Sequence, residues 1–99
     1  MYIRISRARC DPNKCDEVLA AAEQVNPALR QLPGFQNSYW AVDRASGALI
    51  AVSTWDTRDH ADFSREALAS GGGAAGARRM QDAGAQMDPP EIYEIAASA

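Results

Sequence analysis

The fold is decided by residues 32–57, which read LPGFQNSYWAVDRASGALIAVSTWDT. Pro33 and Gly34 predict the end of a helix, because proline cannot continue one and glycine accepts the reversed backbone of a helix end. Phe35–Asp43 and Ala48–Trp55 then have the pattern of strands, and the polar residues between them end in a glycine. The stretch therefore predicts two antiparallel strands joined by a tight turn.

The residues before this stretch predict a strand and a helix. Tyr2–Cys10 alternates with a period of two, with Ile3 and Ile5 on one face. From Cys15 to Leu32 apolar residues recur at spacings of three and four, which predicts a helix of about five turns. Pro27 interrupts that pattern, so we expect a kink or a break just before it.

The residues after the stretch predict two further helices and a last strand. Arg58–Ala69 is typical of a helix, and Ala74–Met87 is compatible with another. Between them, residues 70–73 (Ser-Gly-Gly-Gly) predict a mobile connection, which is also a candidate lid. Glu91–Ala97 alternates again and predicts a strand.

The predicted order of elements is β-α-β-β-α-(α)-β, the split βαβ pattern of ferredoxin-like folds. We therefore expect one α+β domain over residues 1–99, with an antiparallel sheet and its helices on one face. Neither strand of the hairpin has a clean polar face, and a sheet that is apolar on both sides needs cover on both sides. A second copy of the chain, stacked sheet against sheet, supplies that cover in a homodimer.

Composition argues against several classes of protein. The net charge is −3 and there is no basic run, so nucleic acid is not the expected partner. We interpret Arg4, Arg7 and Arg9 as charges on the faces of the first strand. No stretch approaches the roughly 20 apolar residues of a membrane span, and the N-terminus lacks the pattern of a signal peptide. We expect no membrane partner and a cytoplasmic location.

The two cysteines, Cys10 and Cys15, are spaced C-x4-C. This spacing lacks the second cysteine pair or the histidines of a zinc site, so we expect no metal. The pattern favours two reduced and partly buried thiols, and a redox pair is the alternative.

With these elements placed, four segments resemble the antibiotic biosynthesis monooxygenase family of the dimeric α/β-barrel superfamily: Leu32–Phe35, Val42–Gly47, Ser53–Asp56 and Glu91–Ile95. The resemblance implies a ferredoxin-like subunit, a homodimeric α/β barrel, and a pocket between each sheet and its own helices. It also implies oxygen chemistry without metal, flavin or other cofactor, on substrates whose own electron-rich anion reduces O2.

The chain departs from the catalytic pattern of that family. The family's tryptophan at the end of the third strand matches Trp55, but the asparagine four residues before it corresponds to Ala51. The tyrosine six residues after it corresponds to Ala61. The tryptophan and histidine of haem-degrading relatives fall on Ser64 and Ala74, which argues against haem degradation.

The sequence nevertheless offers candidate site residues. Trp55 is a candidate for stacking on a planar substrate, and His60, the single histidine, is a candidate base. Arg78 and Arg79 are candidates for meeting an anionic ligand at the pocket mouth, or are solvated charges on a helix. Structural roles in the core or on the surface remain the alternatives for all of these side chains. The candidate substrate-binding residues are Asn37, Tyr39, Trp40, Ser53 and Phe63.

Three functions remain open from the sequence. The first is a cofactor-independent monooxygenase that acts on a small aromatic or quinol-like compound. The second is a non-catalytic module that binds a small molecule, and the third is a stress-related or structural dimer whose pocket is filled by its own side chains. An open apolar pocket with convergent polar groups separates the first two from the third.

Overall fold

The computed structural model describes residues 1–70 and 74–99. In these residues the structure has five strands and four helices, with a short 3-10 turn at Pro12–Lys14. In chain order they are β1 (Tyr2–Arg9), α1 (Cys15–Glu23), α2 (Asn26–Arg30), β2 (Phe35–Asp43), β3 (Ala48–Trp55), α3 (Arg58–Ser70), α4 (Ala74–Asp82), β4 (Gln86–Met87) and β5 (Glu91–Glu94). The predicted α+β, ferredoxin-like arrangement is confirmed.

The sheet is antiparallel and β1 lies at its centre. β2 pairs with β3, β3 pairs with β1, and the other edge of β1 pairs with β5 along its first half and with β4 at its end. The register places Tyr2 opposite Trp55 and Arg9 opposite Ala48. The hairpin of β2 and β3 has the strand bounds that the sequence predicts, with one irregularity between Phe35 and Asn37.

The predicted long helix is broken, as expected, into α1 and α2. α1 ends at Glu23, and α2 starts at Asn26 with Pro27 in its first turn. Proline is tolerated there because the first helical N–H groups have no partner inside their own helix. Asp11 caps the 3-10 turn that leads into α1, since its Oδ1 accepts a hydrogen bond of 2.9 Å from the backbone N–H of Asn13.

Two predicted boundaries near the C-terminus are wrong. The helix predicted over Ala74–Met87, which is α4, ends at Asp82. It ends there because the chain turns at Gly84, which has a φ of 91°. Residues 86–87 then pair with β1 as β4, a tertiary contact that the local sequence does not signal. The last strand ends at Glu94 rather than Ala97. Glu94 lies opposite Tyr2, the first residue of β1, and beyond this pair the Ile95 N–H donates a hydrogen bond of 2.9 Å to the carbonyl of Met1, so the pairing does not extend as far as Ala97.

The predicted connection at residues 70–73 falls mostly outside the described residues. Ser70 ends α3, and the glycines 71–73 lie outside the part of the chain that the structure describes. The predicted lid therefore stays a prediction.

The core of the described residues lies between the sheet and the helices and forms two clusters. One surrounds Val18 of α1 and includes both cysteines, whose buried sulfur atoms are 3.6 Å apart and not bonded as a disulfide. The other surrounds Trp55 and includes Val25, Leu29 and Ala61. Both clusters lie on the helix side of the sheet.

The opposite face of the sheet, which we call the open face, carries no helix among the described residues. Because side chains alternate along a strand, it presents Ile3 and Ile5 of β1 beside Ile50 and Val52 of β3. Two tyrosines on the same face are largely exposed, Tyr39 at 66% and Tyr93 at 50%. The helices thus cover one side of the sheet, as predicted.

Nothing in the described helices meets the length and hydropathy that a membrane crossing requires.

Candidate functional site

A cavity of about 190 Å³ lies between the sheet and the helices. Apolar side chains of α2, α3 and α4 form much of its wall, among them Leu29, Leu68 and Met80. An apolar cavity of about 150 Å³ is large enough to hold benzene. The cavity therefore suits a small ligand with one or two rings. A larger depression of about 500 Å³ lies at the hairpin end, but residues of the open face, such as Ala41 and Ile50, line it.

Two arginines give this cavity its charge. Arg4 of β1 lies opposite Ser53 on one side and Ile92 on the other, and its side chain lines the cavity. Arg65 of α3 lines the same cavity but is exposed, which places it at the mouth. The remaining polar lining comes from the hydroxyls of Ser6, Ser38 and Ser53.

Two of the predicted substrate-binding residues, Trp40 and Ser53, lie in the cavity wall. Trp40 is half-buried, and its Nε1–H donates a hydrogen bond of 3.0 Å to Oδ1 of Asn26, the first residue of α2. This bond fixes the plane of the indole ring and leaves its apolar body facing the cavity. The hydroxyl oxygen of Ser53 accepts a hydrogen bond of 2.8 Å from Nε1 of Trp55.

Trp55 lies outside the cavity lining, fully buried in the core. Its ring meets Phe35 edge to face, with centroids 5.4 Å apart and an interplanar angle of 75°. Trp55 thus reaches the cavity indirectly, by holding the hydroxyl of Ser53. Its predicted role in contacting substrate stays a prediction.

His60 also lies outside the cavity lining. Its Nδ1 is 2.7 Å from Oδ1 of Asp56, one turn earlier at the start of α3, and this exposed pair lies directly over Gly34. The hydrogen bond with His60 lowers the pKa of Asp56 below its ordinary value. The His60–Asp56 contact stabilises the junction between β3 and α3, and it does not bring His60 to the cavity. The predicted role of His60 as a base therefore also stays a prediction.

The other predicted site residues are not brought to the cavity. Asn37 and Tyr39 lie on the open face, and Phe63 is 48% exposed on α3. Arg78 and Arg79 are exposed on α4, where their neighbours Ala77 and Met80 line the cavity instead.

Within residues 1–70 and 74–99, no group of three or more histidine, cysteine or acidic side chains is arranged to hold a metal ion.

Arg4 and Arg65 are the charged residues of the cavity lining, and neither is among the site residues predicted from the sequence. The sequence interpretation treats Arg4, Arg7 and Arg9 alike, as charges on the first strand. Arg4, however, is at an even position and the other two are at odd positions, so Arg4 lies on the opposite face of the strand. The even positions of β1 include Ser6 and Ala8, which are buried on the helix side. The sequence signal for Arg4 was that it shares a strand face with the small residues Ser6 and Ala8, which indicates a position beneath the helices.

The fold and this cavity define a ferredoxin-like α+β protein with a ligand-sized space beneath its helices. The family model for antibiotic biosynthesis monooxygenases matches residues 1–70. The chain therefore belongs to the antibiotic biosynthesis monooxygenase family. No curated protein matches the chain by sequence.

Solved structures agree with that assignment at the level of the fold. A Deinococcus radiodurans protein assigned to the same family has a TM-score of 0.76 at 15% identity, over 100% of this chain and 96% of its own. SnoaB, a cofactor-independent oxygenase from Streptomyces nogalater, has a TM-score of 0.70 at 16% identity, over 98% and 94%. Rv0793 from Mycobacterium tuberculosis has a TM-score of 0.73 at 13% identity, over 99% and 97%.

Proposed function

We propose that the protein is a cofactor-independent monooxygenase that oxidises a small aromatic or quinol-like compound in the cavity between sheet and helices. The observation that carries this proposal is the cavity itself, because it combines apolar walls, the indole of Trp40 and a few polar groups. Membership of the family and the likeness in fold to SnoaB support the proposal.

In this reaction the substrate supplies all the electrons. A phenol, or the enol form of a cyclic ketone, loses its O–H proton, and the resulting anion reduces O2 at a ring carbon that carries one hydrogen. One oxygen atom becomes the new C=O group at that carbon, and the other leaves as water with the O–H proton and the hydrogen of that carbon. The chain has to hold the ring, stabilise the anion and keep bulk water away. Trp40 and the apolar wall are placed for the first and third of these tasks.

Filling the cavity tests this proposal. Ala77 of α4 lines the cavity, so Ala77→Leu removes much of the space for a ring. Oxygen uptake with a panel of naphthols and hydroquinones, which have one or two rings, will exceed the spontaneous rate in the wild type, and we expect Ala77→Leu to reduce it at least tenfold. Ala75→Leu is the matched control, because Ala75 is exposed on the same helix.

Two outcomes contradict the proposal. One is the absence of enzyme-dependent uptake with every member of the panel. The other is equal activity of the two leucine variants, which places the reaction elsewhere. Including His60→Ala in the series decides whether the predicted base contributes from outside the cavity.

One observation favours a second function, the non-catalytic binding of a small molecule. Ala51 occupies the position that the family resemblance assigns to a polar asparagine, and its methyl group lines the cavity. A cavity that binds a ring but lacks this polar group is consistent with a carrier. Binding of panel compounds without turnover supports this second function.

We also propose that two chains assemble through their open faces into a homodimeric barrel. The apolar residues at the centre of that face and the exposure of Tyr39 support this arrangement. Light scattering at micromolar concentration will give the mass of a dimer. Tyr39→Glu will shift it toward the monomer, because a charge would be buried between the sheets. Ala20→Glu, on the helix side, will leave the mass unchanged, and a wild-type monomer overturns this arrangement.

A further inference from the structure

We propose that Arg4 and Arg65 form an oxyanion-binding site, and that the ligand is therefore a small aromatic anion, bound through a carboxylate or an ionised phenol or enol. This inference rests on the proposed function only in placing the ligand in the same cavity. It adds which residues of this chain bind the oxyanion of the ligand, because the family resemblance implies an anionic substrate but assigns no role to Arg4 or Arg65.

The first observation is an unsatisfied donor. Nε of Arg4 is buried and has no hydrogen-bond partner among the described residues. Leaving a buried polar donor unpaired destabilises the folded protein, and more so when the group is charged. A buried donor without a partner calls for an explanation, such as a water or an ion that completes it, and the residue that carries this donor lines the cavity.

The second observation is that, among the described residues, the cavity lining contains two arginines and no carboxylate. Two arginines outside the lining form ion pairs, Arg7 with Glu91 and Arg44 with Asp16. Glu91 faces away from the cavity in this pairing, and its other oxygen accepts a hydrogen bond from Tyr93. The net charge of the cavity lining is therefore positive, although the whole chain is negative.

The third observation is that the two arginines affect each other. Burial, and secondly the positive charge of Arg65, lower the pKa of Arg4 from its ordinary value. A guanidinium nevertheless stays charged at neutral pH. Two like charges beside one apolar space repel each other, and an anion placed between them relieves both the repulsion and the missing hydrogen bond.

The apolar wall restricts the rest of the ligand. Leu29, Leu68 and Trp40 offer no donor to a sugar or a polyphosphate, and about 190 Å³ accommodates one or two rings. A planar oxyanion suits the forked donors of arginine, so carboxylate and phenolate share the recognition chemistry. In the proposed oxidation, the same charges favour the ionised form of a phenol or enol, which is the form that reduces O2.

Calorimetric titration with 2-naphthoate and its neutral amide, 2-naphthamide, tests this inference without requiring turnover. We expect the wild type to bind naphthoate at least tenfold more tightly than naphthamide at pH 7. Arg65→Met will abolish this preference, and Arg65→Lys will retain part of it. Arg65 is exposed, so its replacement does not threaten the fold. Arg4→Met tests the second arginine, which lies deeper in the cavity. Arg58→Met, at the exposed start of α3, is the matched control and will behave as the wild type.

A second titration separates the two sources of the oxyanion. If the site stabilises a phenolate, bound 2-naphthol will show the absorption of its anion at a pH where the free compound is neutral, and Arg65→Met will remove that signal. Binding of naphthoate without this signal assigns the site to carboxylates.

Equal affinity for naphthoate and naphthamide overturns the inference, as does an unchanged preference in both arginine variants or the absence of binding by either anion. Anion-selective binding without oxygen uptake retains the inference and counts against the proposed monooxygenase. If Arg65→Met and Arg4→Met both leave the oxygen uptake unchanged, the result supports the proposed monooxygenase and counts against the oxyanion site.

Discussion

Trp55→Ala will lower the free energy of unfolding by about 3–5 kcal/mol, the range for truncating a large buried aromatic side chain. Trp55 is 0% exposed and contacts the ring of Phe35. Its removal opens a cavity in the cluster that joins α2, α3 and β3. Small domains have only about 5–15 kcal/mol of stability in total, so the variant will be close to unfolding at raised temperature. Urea denaturation followed by circular dichroism measures the loss.

Trp55→Phe separates the packing of this residue from its hydrogen bond. Phenylalanine retains a ring beside Phe35 but cannot donate to Ser53, so we expect a loss of about 1–2 kcal/mol. A loss below about 1 kcal/mol for the alanine variant would contradict the structural role and return Trp55 to the candidates for substrate contact. Any loss of activity in Trp55→Ala has to be expressed per folded molecule, because unfolding alone reduces turnover.

The second large effect is expected at Gly47, in the turn of the hairpin. Gly47→Ala will cost about 3 kcal/mol or more, because two penalties act together. The residue has a φ of 79°, which costs an L-residue about 1–2 kcal/mol. In addition, a Cβ atom would overlap the backbone carbonyl oxygen of Cys10, which cannot move aside as a flexible side chain does. The backbone N–H of Cys10 donates to the Gly47 carbonyl at 2.9 Å, so the overlap also disturbs this bond.

Gly84→Ala is the matched control for that experiment. Gly84 has a φ of 91°, but a Cβ there meets nothing within 4 Å. We therefore expect only the conformational penalty, about 1–2 kcal/mol. Thermal unfolding of the two variants measures the difference directly. Equal losses at the two positions would mean that the contact with Cys10 relaxes without cost.

The hairpin could be predicted to the residue because its signals are local. Proline and glycine before Phe35, and a glycine at the end of the turn, act within a few residues of the boundaries they set. The same reasoning fails at Gly84, because a helix can either continue through a glycine or end at it, and distant contacts decide between the two. Here residues 86–87 gain a ladder with β1, about eighty residues earlier in the chain, and the helix ends to allow it.

The candidate site could be predicted only in part for a related reason. Trp40 and Ser53 are candidates from the sequence because aromatic and hydroxyl side chains on apolar strands stand out, and both line the cavity, while their contact with a substrate stays a prediction. Arg4 was missed because the assignment of a strand face to helix or open side depends on tertiary packing, which a period of two does not decide by itself. Trp55 and His60 are adjacent in sequence to the site, but the junction between β3 and α3 turns them toward the core and toward Asp56.

The central position of β1 also bears on how proteins of this kind can diversify. Its even-numbered residues point beneath the helices and its odd-numbered residues point to the open face, so neighbouring codons specify different surfaces. In the proposed ligand site and the proposed dimer, a substitution at Arg4 alters ligand preference and leaves Ile3 and Ile5 in place for self-association. The two proposed traits then vary separately on one strand, whereas inserting or deleting a single residue in that strand exchanges its two faces and disrupts both.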